Sequence, residues 1–373
     1  MKNQRRDISA DIIRCLALFF VISVHFLLNN GFYGETVASK RMFVMTVMRA
    51  VFIICVPLFI TLSGYLLSKK ELSGKYYKRI TKIILTYILA SVACMIYSVV
   101  FLHQELTLKM MILKVLDFSG APYSWYIEMY MGLFLIIPFL NILYNNIPSQ
   151  KWKVALIITF VALTALPSML NVYNLNSLEW WTAPARIGGG NQLIPAWWVG
   201  IYPVTYYFIG CYLKEYGLKI KKIPNILLIA VCVLLSGLYS YWRSYNAKFV
   251  WGAWCAYPSL FNTILTILVF ALIINTDFSK VPAMLARFIQ KISGLCLGAY
   301  LLSWIFDSWL YPILKQKVTD AQKTLEYYFV IVPVVFVLSL VLSYLLSKVQ
   351  LLLELLIAKI GALFDKNRAV STK

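Results

Sequence analysis

The chain of 373 residues is 61% hydrophobic, 16% aromatic and only 13% charged, with a mean hydropathy of +0.75. Soluble domains average roughly 45–50% apolar and about 25% charged residues, so this balance excludes an ordinary soluble enzyme, a disordered tail and a nucleic-acid module, and places the chain in a lipid bilayer. Its formal charge of +20 then marks loops facing the cytosol rather than a polyanion-binding surface.

A bilayer core takes about 20 apolar residues per helix. Such runs occur at Ile8–Leu28, Phe43–Leu67, Ile80–Phe101, Trp125–Tyr144, Val154–Leu170, Ala196–Leu213, Ile226–Trp242, Pro258–Asn275, Ile292–Tyr311 and Tyr328–Leu346. The expected fold is therefore all-α, a polytopic membrane protein of about ten transmembrane helices, with no soluble domain between them. Cations cluster at alternate ends: Lys2, Arg5 and Arg6 before the first run, Lys69 to Lys82 after the second, and Lys348 to Lys373 after the last. That asymmetry predicts both termini on the cytoplasmic side of a multi-pass cell-membrane protein. The first run is too long for a cleaved signal peptide and no small-residue cleavage site follows it, so it reads as a retained anchor.

Residues 1–346 are expected to form the transmembrane domain. The Leu-rich Ser347–Phe364, punctuated by Lys348, Glu354 and Lys359, reads as an interfacial helix within a cytoplasmic segment 347–373. The outer segment Asn171–Pro195 is the main irregular stretch and has the length of a lid or binding loop. Seven scattered cysteines without paired spacing read as core residues, neither disulfides nor metal ligands.

Ionisable groups at bilayer depth are costly, and each is a functional candidate by default. They are Asp11, Arg14, His25, Arg49, Glu128 and Asp307. Four of them, His25, Arg49, Glu128 and Asp307, fall near the outer ends of their spans. Arg14 and His25 stand eleven residues apart, close to three helical turns, so both face one way and lie about 16 Å apart along the axis. One helix face thus offers a cation towards the cytosol and a base towards the outside. Against this stand structural readings: His25 bonded to a neighbouring helix, Arg49 snorkelling or paired with Glu128, and Asp11 ion-paired with Arg14 one turn away.

From Arg6 through Val24-His25 the chain resembles the opening helix of the acyltransferase-3 family of integral membrane acyltransferases, whose basic residue and histidine are met by Arg14 and His25. Pro57-Leu-Phe-Ile-Thr-Leu-Ser63-Gly64-Tyr65-Leu is similar to the close of the family's second helix. Tyr76-Tyr-Lys78-Arg79-Ile-Thr-Lys82 is similar to the basic lead-in to helix 3, and Trp125-Tyr-Ile-Glu128 through Pro138 to the helix 4 block. The family pattern at helix 3 is R-x-x-R where this chain has Lys82 second; at helix 9 it is Tyr-Leu-x-His where this chain has Ser303. The helix 4 block resembles most the short stand-alone members, without a C-terminal extracellular esterase-like domain, that modify surface polysaccharides or their lipid-linked precursors.

The resemblance implies transfer of an acyl group, most often acetyl, from cytosolic acyl-CoA to a hydroxyl of an extracytoplasmic glycan or lipid-linked glycan. It implies His25 as the catalytic histidine, with Arg14 and the helix 3 cations Lys78, Arg79 and Lys82 on the donor. Beside the resemblance, Arg14, Ser63 and Arg49 are candidate donors to the thioester oxygen, and Arg49, Trp125 and Asp307 are candidates for contact with the acceptor. A neutral imidazole is the usual base for activating a sugar hydroxyl. The only other histidine, His103, falls in an outer loop, and no Cys–His or Ser–His–Asp set is legible, so direct transfer is expected. Either Glu128 or Asp307 is available to orient the ring. The Lys69–Lys82 cluster has a competing reading as plain positive-inside topology or contact with anionic lipid. The pairs Trp180-Trp181 and Trp197-Trp198 read first as interfacial anchors and second as sugar-stacking platforms, and Ser63-Gly64 as a site of close helix approach. The alternative function is a transporter or flippase of lipid-linked sugars, although no inverted repeat is legible.

Overall fold

The computed structural model describes residues 8–371; the basic segment Met1–Arg6 and the last two residues lie outside them. Twelve helices of eight or more residues carry the described chain. They are α1 (Ser9–Asn29), α2 (Lys40–Phe52), α3 (Cys55–Leu67), α4 (Ile80–Val100), α5 (Leu108–Leu116) and α6 (Trp125–Asn145), followed by α7 (Gln150–Thr164), α8 (Tyr202–Glu215), α9 (Lys222–Ser244), α10 (Leu260–Ile274), α11 (Ala283–Lys317) and α12 (Tyr328–Ser371). With no water to satisfy backbone groups in lipid, apolar runs of this length can only close their hydrogen bonds internally. The starts are set by side chains: Ser39, Thr107 and Ser259 each accept the amide three residues on. Among the described residues the only β-pairing is two isolated bridges that tie Thr36 and Val37 to Lys248 and Tyr245.

Among the described residues eight helices are long and apolar enough to cross a membrane, α2 and α3 counting as one around the break at Ile53–Ile54. The two other expected spans are helical but short: α7 has 15 residues and α8 has 14. At 1.5 Å per residue each covers about 22 Å, less than the hydrocarbon thickness of about 30 Å. A separate helical turn at Pro167–Leu170 and a 3-10 turn at Val199–Ile201 adjoin them. The last helix differs in the opposite sense, running from Tyr328 to Ser371 without a break at residue 347.

The first helix is the axis of the core. Ile13, Leu18, Ile22, Phe26 and Leu27 are fully inaccessible, and α1 touches α2, α3, α10, α11 and α12. The tightest crossing is α3 on α8. A Cβ on Gly64 would sit 2.0 Å from the Tyr207 carbonyl oxygen, and one on Gly210 2.0 Å from that of Thr61, so only glycine fits at either place. This approach fixes the face of α3 that carries Phe59 and Ser63. All seven cysteines are free thiols, six of them buried.

Between α7 and α8, Asn171 closes the irregular segment by accepting the Leu193 and Ile194 amides and donating to the Ile194 carbonyl. Gly188 and Gly189 turn there with positive φ. Trp180 is buried in an aromatic nest with Tyr173, Trp181 and Trp242 under the Arg243 guanidinium, so it is packing rather than anchor or sugar platform; Trp181, Trp197 and Trp198 remain exposed.

Candidate active site

Near the C-terminal end of α1 the His25 ring, 8% exposed, faces the carboxylate of Asp307 on α11, 2% exposed. His25 Nδ1 lies 3.6 Å from Asp307 Oδ2. That is ion-pair distance but about half an ångström beyond a hydrogen bond, and Nδ1 has no other partner. The same carboxylate oxygen accepts the Tyr123 hydroxyl at 2.8 Å. Tyr123 also lays its ring against the imidazole, with centroids 3.8 Å apart. Asn29, one turn beyond His25, donates to the His25 carbonyl at 2.9 Å and to the Tyr123 hydroxyl at 3.1 Å, and stands 3.5 Å from Asp307. The tilted Tyr123 ring covers one face of the imidazole, and Nδ1 is turned towards the carboxylate; a carboxylate on that side favours the tautomer protonated at Nδ1.

Near the N-terminal end of α1, Arg14 Nη1 donates to Ser293 Oγ at 2.6 Å, and that hydroxyl donates to Asp11 Oδ1 at 2.7 Å. Arg14 and Asp11 also form the expected ion pair, at 3.6 Å. Asp11 and His25 on α1 therefore pair with Ser293 and Asp307 on α11, fourteen residues apart on both helices. The two helices run parallel and in register, pinned by polar contacts at two levels.

Between these levels lies a cavity of about 270 Å³. His25 and Arg14 both line it, with Phe59 and Ser63 of α3, Trp125 and Tyr130 of α6, and Tyr257 and Tyr300. Trp125 stacks on Tyr257, centroids 5.4 Å apart. Ser63 donates to the Phe59 carbonyl, which leaves its oxygen lone pairs towards the cavity wall. Arg14, Ile83 and Leu297 also line a second space of about 650 Å³, so the two adjoin; Arg79, Lys82 and Lys348 line the second.

The expected site residues thus divide. His25, Arg14, Ser63 and Trp125 share the first cavity, Arg79 and Lys82 lie on the adjoining one, and Asp307 supports the imidazole from behind. Glu128 is exposed on α6 and Lys78 is exposed ahead of α4; neither lines either cavity. Arg49 is fully buried apart from them: it donates to the Tyr33 hydroxyl and the Cys255 carbonyl and stacks on Phe249 and Trp251, pinning the loops after α1 and α9 together without Glu128. Ser303 donates to the Tyr300 carbonyl and is buried. Sequence reasoning missed Tyr123, Asn29, Ser293, Tyr257 and Lys348. Asn29 was within reach of it, lying four residues from His25 on the same face. Among the described residues no group of three or more His, Cys, Asp or Glu side chains could hold a metal ion.

No curated protein and no solved structure matches the chain. The model of one family, described as an acyltransferase domain, matches residues 7–348, nearly the whole length. The fold, the in-register histidine and arginine on the first helix and this match converge, and the chain belongs to the acyltransferase-3 family of membrane acyltransferases.

Proposed function

We propose that this acyltransferase moves an acyl group, acetyl in the simplest case, from cytosolic acyl-CoA to a hydroxyl of an extracytoplasmic glycan or its lipid-linked precursor at the cell membrane. The observation that carries the reading is the pair of adjoining cavities: a basic cleft at Arg79, Lys82 and Lys348 opens past Arg14 into a narrower space that ends at His25. With the basic cleft on the cytosolic side, both chain termini lie inside.

In this reading the donor's phosphates stay among the cations and its thioester reaches the imidazole. The acceptor hydroxyl approaches from the outer side, past the Trp125–Tyr257 stack. His25 Nε2 takes the hydroxyl proton as the oxygen attacks the thioester carbonyl. Asp307 and Tyr123 hold the ring and stabilise the imidazolium that forms. Collapse of the tetrahedral intermediate breaks the carbon–sulfur bond, the departing thiolate takes the proton back from Nε2, and free CoA and the acylated glycan result. Arg14 is about 16 Å from His25 by helix rise, too far to stabilise the oxyanion, and the Ser63 hydroxyl is already donated to the Phe59 carbonyl. Nothing in the fold or the family adds support to a transporter or flippase.

Membranes carrying the protein, incubated with radiolabelled acetyl-CoA and a glycan acceptor, should acetylate the acceptor. His25→Ala should remove that transfer; a His25→Ala protein with full activity would overturn the mechanism.

A further inference from the structure

Acyl transfer needs a hydrogen-bond donor at the thioester oxygen as negative charge develops there. None of the three side chains expected for that place is free to act: Arg14 is three helical turns from His25, Ser63 is spent on the Phe59 carbonyl, and Arg49 is buried elsewhere on Tyr33 and Cys255. The cavity wall offers few others. The Tyr300 hydroxyl is given to the Tyr123 carbonyl, the Tyr130 hydroxyl is turned to Ser63, and the Cys55 and Cys296 thiols go to the Ile53 and Ile292 carbonyls. The Trp125 indole is 39% exposed, where water weakens any hydrogen bond it makes.

Two hydroxyls on the wall, those of Tyr126 and Tyr257, have no hydrogen-bond partner among the described residues. Tyr126 leans on Tyr130, centroids 5.9 Å apart, and both lie within range of the Arg14 charge at the far end of the cavity. Tyr257 lies half-buried against Trp125, two residues on from the Tyr123 ring that covers the imidazole, which puts it at the His25 end. It is also held still. Its carbonyl accepts the Tyr206 hydroxyl at 2.7 Å, and the carbonyl of the preceding Ala256 accepts the Ser259 amide at 3.0 Å and the Asn262 side chain at 2.7 Å. Pro258 follows and restricts the Tyr257 backbone. A free hydroxyl on a fixed backbone is a preorganised donor.

We infer that Tyr257 supplies the hydrogen bond that stabilises the oxyanion of acyl transfer. The inference rests on the acyl-transfer reading above and deepens it. As the acceptor oxygen attacks the thioester carbon and its proton passes to His25 Nε2, the carbonyl π pair moves onto the carbonyl oxygen, and the Tyr257 hydroxyl donates to it there. When that pair returns, the carbon–sulfur bond breaks and the thiolate leaves; the phenol keeps its proton throughout. Tyr257 touches the reacting carbonyl and is a catalytic residue, whereas Asp307 and Tyr123 act through His25.

The test is steady-state acetyl transfer by the purified full-length protein with labelled acetyl-CoA and a glycan acceptor. Tyr257→Phe removes one oxygen and keeps the ring on Trp125; it should lower kcat about a hundredfold and leave KM for both substrates within about twofold. Replacing Tyr257 by 3-fluorotyrosine keeps the hydroxyl and should hold kcat within about threefold of wild type. Native kcat in Tyr257→Phe, a loss carried by KM instead of kcat, or an equal loss in the fluorotyrosine protein overturns the inference. A loss in Tyr126→Phe beside native Tyr257→Phe would assign the donor to Tyr126 and overturn it as well. If wild-type protein transfers acetyl and His25→Ala does not, while Tyr257→Phe is native, the inference falls and the acyl-transfer reading stands. If wild-type protein transfers nothing, both fall.

Discussion

Asp307 touches the imidazole and the Tyr123 hydroxyl, so its chemistry can be removed without removing its volume. Asp307→Asn keeps the shape but takes away the charge that stabilises a protonated His25, and it presents an amide that can favour the wrong tautomer. General acid–base contributions run to about 10²–10⁴-fold, so transfer should fall about a hundredfold in kcat, while KM for acetyl-CoA, set among the distant cations, stays within about twofold. A KM change of the same size as the kcat change would show that Asp307 merely supports the fold. Arg49 predicts the opposite split. Its contacts are to a hydroxyl, a carbonyl and aromatic faces of the outer loops, so Arg49→Met should lower stability by about 2 kcal/mol, seen as a lower Tm in detergent, with transfer per folded molecule retained. At this scale the sequence offered Glu128 and Asp307 equally, because depth along a span says nothing about which way a helix is turned. Packing of α11 against α1 makes the choice.

Among elements, the crossing of α3 and α8 carries the most geometric constraint. Ser63-Gly64 is legible as a place of close approach, but its counterpart Gly210 is not, since nothing local says which two helices meet. Gly64→Ala would drive a methyl into the Tyr207 carbonyl and should cost about 1–3 kcal/mol of stability. It should also impair transfer by displacing Phe59 and Ser63 from the cavity. Thermal unfolding and kcat should therefore fall together, and a stable Gly64→Ala protein with native kcat would contradict this account. The short helices α7 and α8 show a second limit of reading by hydropathy. Their apolar windows are long enough, but a separate helical turn at Pro167–Leu170 and a 3-10 turn at Val199–Ile201 interrupt the continuous helix inside them.

For the whole molecule, an apolar composition, long runs and the motifs of residues 6–140 were enough to give an all-α membrane acyltransferase with His25 and Arg14 facing one space. That much follows from period and family resemblance, both local in sequence. What was not legible joins distant parts of the chain: Tyr123 to Asp307, Thr86 to Gln350, Lys82 to Lys348. Such pairs are settled by helix order in the bundle, which hydropathy does not encode. The Trp180 nest is a similar case, an aromatic pair that looks interfacial until Arg243 and Trp242 arrive from α9.

The double pinning of α1 to α11 makes the pair behave as a fixed gauge. Were α11 to slip along α1 by even one turn, about 5.4 Å, both the Ser293 and the Asp307 contacts would be lost together, so neither level can adjust without the other. The reach demanded of a donor is then constant, and a thioester on an arm shortened by several bonds should still dock its phosphates yet stop short of the base, behaving as a competitive inhibitor rather than a poor substrate.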